Sequence, residues 1–297
     1  MIERYLNPEI NSIWDDQNKF DTWKLVQEKY VETLEELNVA ENGIAKKINQ
    51  SVVQKDEVYK QEEITNHDLA SFVDILQKKV GEGSNWIHYG LTSSDIVDTA
   101  NSFLIIQSLD YVKDLVNDLL STLQEKAVQE KDTSIIGRTH GVYAEETFLG
   151  NIFGNWHLEV ARGLNRLENS KNNISFGKLS GPVGNHSVVT SEMEKLTLEK
   201  LNLKPEQFAN QIVSRDRYAE VVSSLGILAS TYERIATNIR SYQRSEISEM
   251  YESFKDGQKG SSAMPHKKNP IGSERITGLA RIMRSYVSTS LENMVLW

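Results

Sequence analysis

The residues best suited to chemistry lie between Gly257 and Asn269, in the stretch GQKGSSAMPHKKN. This stretch contains two adjacent serines, one histidine and three lysines, and Pro270 follows at once. Glycine and proline disfavour a helix, which predicts a surface loop between two helical segments. Such a loop can bring a proton acceptor, an acid and cations to a negatively charged substrate. The alternative is a plain basic connection between helices.

Three more histidines lie at predicted helix ends. His140 is flanked by glycines in the segment GRTHG, and His67 begins a short helix. His88 precedes the start of a long helix, where free backbone N–H groups with Thr92 and Ser93 predict an anion site. For any one of these histidines, the alternative is helix capping or an ordinary surface contact.

Together these residues favour acid–base chemistry. Proton abstraction next to a carboxylate, coupled to protonation of a leaving group, would use such a set. From the residues alone, His266 would be the base and His140 the acid. The sequence has no H-x-x-x-H pair, no phosphate-binding G-x-x-x-x-G-K-[ST] loop and no G-x-S-x-G turn. We therefore expect neither a metal nor another cofactor.

The amino-acid composition argues against several other classes of function. The 297 residues carry a net charge of −9, and no basic run exceeds two lysines, which disfavours nucleic-acid binding. With no cysteine there is no disulfide framework and no thiolate nucleophile. No window approaches the roughly 18 apolar residues of a membrane span. These features predict a cytoplasmic protein that does not bind membranes.

The fold is predicted to be all-α. Apolar residues at helical spacing between residues 1 and 90 indicate a small N-terminal helical domain. From residue 91 to 297 the spacing indicates a central bundle of long helices. The apolar stripes of these helices include four groups: Ile105, Leu109, Val112, Val116, Leu119 and Leu123; Leu149, Phe153, Trp156, Val160, Leu164 and Leu167; Leu225, Leu228, Tyr232, Ile235, Ile239 and Tyr242; Ile276, Leu279, Met283 and Tyr286.

The length of these stripes predicts burial on more than one side, and hence oligomerisation; the alternative is a monomeric bundle. The last stripe still runs at Leu291, Met294 and Val295, without a capping Gly or Asn. We therefore expect that this bundle is incomplete at residue 297 and that the 297-residue chain is much less active than a longer chain.

The sequence resembles the fumarase/aspartase superfamily of elimination lyases. The block from Gly260 to Pro270 is similar to the superfamily's long, specific loop motif, and TSSD at 92–95 and GRTHG at 137–141 match two further blocks. Within the superfamily the chain is most similar to the adenylosuccinate lyase family. The segments IERY at 2–5, NHD at 66–68 and WIHYGLTS at 86–93 carry that likeness.

The resemblance implies a homotetramer in which the three blocks of one site come from three subunits. It implies cleavage of adenylosuccinate to AMP and fumarate, and of SAICAR to AICAR and fumarate, in purine biosynthesis. It also implies that family chains continue past residue 297 with further substrate-binding residues and a C-terminal helical domain.

The resemblance assigns a role to each matching residue. His140 would be the general acid, and Ser261 would replace His266 as the general base. Lys267 and Asn269 would hold the fumaryl carboxylates, and Glu274 would partner the acid histidine. Residues expected near the nucleotide or the rest of the substrate are Arg4, Tyr5, His67, His88, Thr92, Ser93, Thr139, Gln211 and Ser262.

Some alternatives stay open. Arg4 and Tyr5 could simply dock the N-terminus, and Glu274 could be a first-turn charge that stabilises the helix dipole. Tyr143 and Glu146 stand where related sequences often carry His and Pro. A sibling lyase acting on argininosuccinate or another succinyl adduct, or a helical assembly protein without catalysis, would share much of this pattern.

Overall fold

The computed structural model describes residues 5–264 and 266–295. Short helices come first: α1 Pro8–Ile13, α2 Asp16–Glu36, α3 Ile44–Gln50, α4 Lys55–Thr65 and α5 Asp68–Val80. They are followed by α6 Ser93–Gln129, β1 Ser134–Thr139, β2 Val142–Phe148, α7 Leu149–Ile174, β3 Phe176–Gly177, α8 Ser191–Lys200, β4 Lys204–Pro205, α9 Asp216–Tyr242 and α10 Ile271–Glu292. The prediction of a mainly helical fold is confirmed.

The chain forms two compact units. The first contains the chain up to Val112 together with Lys171–Ser214, and the second contains Lys113–Ser170 together with the chain from Arg215 onward. The domain boundary predicted between residues 90 and 91 stays a prediction, since these units group the chain differently.

The first unit has an apolar core built on α2. Phe20, Trp23 and Tyr30 are at most 2% exposed, as the helical spacing predicts. Phe72 of α5 stacks on Phe20, with 6.0 Å between ring centroids, and meets the edge of Trp23 at 5.6 Å. Ile64, near the end of α4, does not join this core, because it is 76% exposed.

The long helices lie where their apolar spacing predicts. Helix α6 has 37 residues, which is about 55 Å at about 1.5 Å per residue. At its start, the Asp95 carboxylate accepts the Thr92 N–H at 2.8 Å, which is the N3-to-N-cap half of a capping box. Among the described residues, no helix is long and apolar enough to cross a membrane.

In the second unit, α9 and α10 pack together through small residues. Ser273, Thr277 and Ala280 of α10 are buried, and a Cβ added to Gly226 of α9 would lie 2.4 Å from Val287. The apolar stripe of α10 points elsewhere, because Ile276, Leu279 and Tyr286 are 43–53% exposed. The stripe is therefore available to a surface that the described chain does not supply.

Two short β elements were not predicted. Strands β1 and β2 form an antiparallel hairpin, with Thr139 opposite Val142. The segment 176–185 supplies β3, which pairs in parallel with β4. A helical spacing analysis misses both, since two-residue strands and a mostly exposed hairpin leave little periodic signal.

Candidate active site

His140 lies at the tip of the β1–β2 hairpin. His140 and Gly141 form its two-residue loop, with φ of 55° and 79°. Two consecutive positive φ values match the turn that suits the right-handed twist of a hairpin, and glycine adopts this conformation without strain. The side chains of His140 and Thr139 are exposed. The hairpin thus presents the predicted acid on a projecting tip.

The loop that carries Ser261 is folded on itself. Gly260 is buried, and a Cβ at this position would lie 2.3 Å from the Lys267 carbonyl oxygen. The Asn269 side chain donates from Nδ2 to the Gly260 carbonyl at 2.7 Å. The two ends of the motif are therefore held together, with Ser261 directly beyond the contact.

Ser261 Oγ accepts two backbone N–H groups. The donors are Ala263, at 3.3 Å, and Met264, at 3.2 Å. Such donors stabilise an alkoxide more than a neutral hydroxyl, because hydrogen bonds to a charged acceptor are stronger. The two donors therefore favour the alkoxide of Ser261 over its neutral hydroxyl. Ser262, the next residue, is exposed.

A cavity of about 970 Å³ lies beside this loop in the second unit. Lys267, Asn269 and Glu274 line it, together with His266. The lining also has three further cations: Lys268 of the same loop, and Arg240 and Arg244 from outside it. Four cationic side chains and two carboxylates give the cavity an excess of positive charge, which suits a polyanionic substrate.

Glu274 lies in the first turn of α10 and is exposed. Within the described part of the second unit, it forms no ion pair with His140, and Ser261 makes no hydrogen bond to that imidazole. The N-terminus of α10 has another acidic partner, because the Glu252 carboxylate accepts the N–H groups of Gly272 and Ser273 at 3.0 and 2.6 Å. The proposed pairing of Glu274 with an acid histidine stays a prediction.

The first unit gathers His67, His88, Thr92 and Ser93 around the start of α6. His67 caps α5, since its Nδ1 accepts the Ala70 N–H at 3.4 Å, and its Nε2 lies 3.5 Å from Ser93 Oγ. His67 therefore caps a helix, which was the alternative for this histidine, and it also contacts Ser93 directly. Both imidazole nitrogens have an identified neighbour.

His88 is held by a single buried glutamine. Gln27 Oε1 accepts the His88 backbone N–H at 3.0 Å, so its amide NH₂ faces His88 Nδ1, also at 3.0 Å. Nδ1 therefore accepts, and the imidazole carries its proton on Nε2. Burial, with a smaller contribution from nearby His67, lowers the pKa of His88 to about 4. A neutral, donating imidazole results.

A buried ion pair stabilises the start of α6, around which the histidines and Thr92 and Ser93 lie. Lys178 and Asp95 form a salt bridge, and both side chains are 0% exposed. Asp95 also accepts the N–H groups of Ser180 and Gly181 at 3.3 and 3.1 Å. Lys178 donates to the Gly181 carbonyl at 2.7 Å. The pair fixes the first turn of α6, and no local pattern predicts it, because the partners are 83 residues apart.

Three further predicted residues are Gln211, Tyr5 and Arg4. Gln211 lies in a partly buried loop, where Val213 is anchored by its N–H to Asp98 at 2.8 Å. Tyr5 is 36% exposed. Arg4 lies outside the described residues.

Comparisons with known proteins identify the family. The family model described as "Lyase" matches residues 10–283. The adenylosuccinate lyase of Thermotoga maritima is 44% identical over 100% of this chain and 69% of its own length. That of Bacillus subtilis strain 168 is 41% identical, again over 100% of this chain and 69% of the relative.

Solved structures share the fold at lower identity. The 3-carboxy-cis,cis-muconate lactonizing enzyme of Pseudomonas putida matches 98% of this chain and 67% of its own, with a TM-score of 0.89 and 22% identity. A fumarate lyase of Mesorhizobium sp. BNC1 matches 97% of this chain and 66% of its own, with a TM-score of 0.85 and 20% identity. The chain belongs to the lyase family, and within it to the adenylosuccinate lyases.

Proposed function

We propose that this elimination lyase cleaves adenylosuccinate to AMP and fumarate, and SAICAR to AICAR and fumarate, in purine biosynthesis. The observation that carries the proposal is the 44% identity to the adenylosuccinate lyase of Thermotoga maritima across the whole chain. The cationic loop cavity supports it, because both substrates carry a phosphate and two carboxylates.

In this proposal Ser261 is the general base. Its alkoxide removes the proton from the succinyl carbon that lies next to a carboxylate, and negative charge builds up on that carboxylate. Lys267 and Asn269 hold the charge, and the backbone donors to Ser261 Oγ favour the alkoxide that starts the step. Ser262 contributes to binding on the same loop.

His140 is the general acid. It gives a proton to the departing nitrogen as the carbon–nitrogen bond breaks and the fumarate double bond forms. Its position at an exposed hairpin tip suits a residue that reaches a site outside its own hairpin, with Glu274 as a charge partner for the imidazolium. Thr139 next to it contributes to substrate binding.

The first-unit cluster holds the nucleotide part. Thr92 and Ser93 at the start of α6 offer hydroxyl and backbone donors, and the neutral His88 adds an Nε2–H donor. His67 acts beside Ser93, and Arg4, Tyr5 and Gln211 complete the binding set. No cofactor takes part in the proposed chemistry.

The functional protein is proposed to be a cytoplasmic homotetramer. Support comes from α10, whose exposed apolar side chains form a stripe at helical spacing, as a helix in a larger bundle requires. Light scattering of the purified protein tests this, and a monomer at micromolar concentration would contradict it.

The activity test is a panel of succinyl adducts. The protein expressed from its complete gene is incubated with adenylosuccinate, SAICAR and argininosuccinate, and fumarate release is measured for each. We expect turnover of the first two. Turnover of argininosuccinate alone would favour the sibling lyase, and no fumarate from any adduct would favour an assembly role without catalysis.

A further inference from the structure

The hairpin that carries His140 is tied to the segment before the Ser261 loop by one ion pair. Arg138 of β1 donates from Nη1 and Nη2 to the two carboxylate oxygens of Glu249, at 2.7 and 2.6 Å. The side chains are 16% and 24% exposed, and the residues are 111 positions apart. A two-bond fork of this kind fixes both distance and orientation.

Strand β2 gives the hairpin little packing. Six of the seven residues of β2 are exposed, so the hairpin buries little apolar surface there. An isolated two-stranded hairpin is marginally stable in water. Tyr143 covers the Arg138 guanidinium, with 5.2 Å from the guanidinium carbon to the ring centroid. This contact gives Tyr143, which departs from the usual residue of related sequences, a local role.

Glu249 belongs to the same turn that anchors the loop. Its N–H donates to the carbonyl of Tyr242, the last residue of α9, at 3.1 Å. The neighbouring Gln243 donates from Nε2 to the Lys268 carbonyl at 2.9 Å and accepts the Glu252 N–H at 3.1 Å. The end of α9 therefore holds the hairpin through Glu249 and the loop through Gln243.

We propose that Arg138 and Glu249 are positioning residues that fix the His140 hairpin to the end of α9. The same helix end holds the loop that carries Ser261, so both segments keep a fixed position relative to α9. The inference rests on the proposed function for its kinetic consequence. The positioning role requires only that the His140 hairpin and the Ser261 loop are each held in place relative to α9. It therefore applies whether the hairpin and the loop serve the same active site or neighbouring active sites of an oligomer.

The kinetic test compares Glu249→Gln, Arg138→Gln, the double variant and the parent. Misplacement of a catalytic group by about 1 Å can cost about 100-fold, so each single variant should lower kcat about 10- to 100-fold with KM within about threefold. The double variant should be no worse than the singles, because they remove the same interaction. Arg138→Lys keeps the charge and loses the fork, and should fall between the parent and Arg138→Gln.

Glu233→Gln is the matched control. Glu233 of α9 pairs with Arg284 of α10 in the same unit. It has no described bond to the hairpin or to the loop, so kcat should stay at the parent value. An equal loss of kcat in this variant would show that any lost ion pair suffices, and would overturn the proposal.

Hydrogen exchange separates this proposal from the proposed function. In Glu249→Gln, the amides of residues 134–148 should exchange at least about 10-fold faster than in the parent and in Glu233→Gln. Unchanged exchange, or parent-like kcat in an active protein, would refute the positioning role. If the parent cleaves no succinyl adduct, the proposed function fails, and faster hairpin exchange still decides whether the pair holds the hairpin.

Discussion

His88 should make the stability of the protein fall in mild acid. Its pKa is lowered from 6.5 to about 4 in the folded chain, mainly by burial. Below pH 6.5 the imidazole of His88 is protonated in the unfolded chain but stays neutral in the folded chain. The free energy of unfolding therefore decreases as pH falls. The decrease ends near pH 4, where the folded imidazole also becomes protonated.

The size of the effect follows from these two values. One unit of pKa corresponds to about 1.36 kcal/mol, and the His88 contribution at pH 5 is a loss of about 2 kcal/mol relative to pH 7.5. The variant His88→Asn removes the titrating group. Asparagine tolerates the positive φ of 64° found here, and its Oδ1 can still accept from Gln27.

The assay is urea unfolding of the parent and His88→Asn at pH 7.5 and pH 5, at one protein concentration. The difference in unfolding free energy between the two pH values should be about 2 kcal/mol smaller in the variant. Proton NMR of the imidazole gives the pKa directly. Equal pH dependence in both proteins, or a His88 that titrates near 6.5, would refute the burial argument.

Two further predictions concern other parts of the site. Lys178→Met should lower the free energy of unfolding by about 3–5 kcal/mol, because it leaves the 0% exposed Asp95 without its cation; a loss under about 1 kcal/mol in denaturant unfolding would contradict this. Gly260→Ala should lower kcat about 10- to 100-fold with little change in melting temperature, since its Cβ would lie 2.3 Å from the Lys267 oxygen and displace the loop. Gly278→Ala, where a Cβ meets nothing within 4 Å, is the control and should keep the parent kcat.

The sequence was sufficient for features that repeat locally. Apolar residues three and four apart predict α6, α7, α9 and α10, since that spacing places apolar side chains on one face of a helix. The Gly/Ser/Lys composition around Ser261 predicts a loop in the same way. The residue types alone favoured His140 as the acid, whereas the role of Ser261 came from the resemblance, because the residue types favoured His266 as the base.

Features that depend on distant partners could not be predicted. Lys178 stands among apolar and small residues, and only the folded chain brings Asp95 to it. Arg138 and Glu249 likewise have no local pattern that relates them across 111 residues. The His140 hairpin was missed because its turn has histidine where Asn or Asp is usual before glycine, and because β2 is exposed rather than alternating.

The most direct test of the account is turnover of adenylosuccinate by the protein expressed from its complete gene, with Ser261→Ala beside it. AMP and fumarate should form in equal amounts. Ser261→Ala should lower kcat by at least about 100-fold while adenylosuccinate still binds, as expected for a group that acts in proton transfer. Absence of turnover by the parent, or a Ser261→Ala variant with nearly the parent kcat, would contradict it.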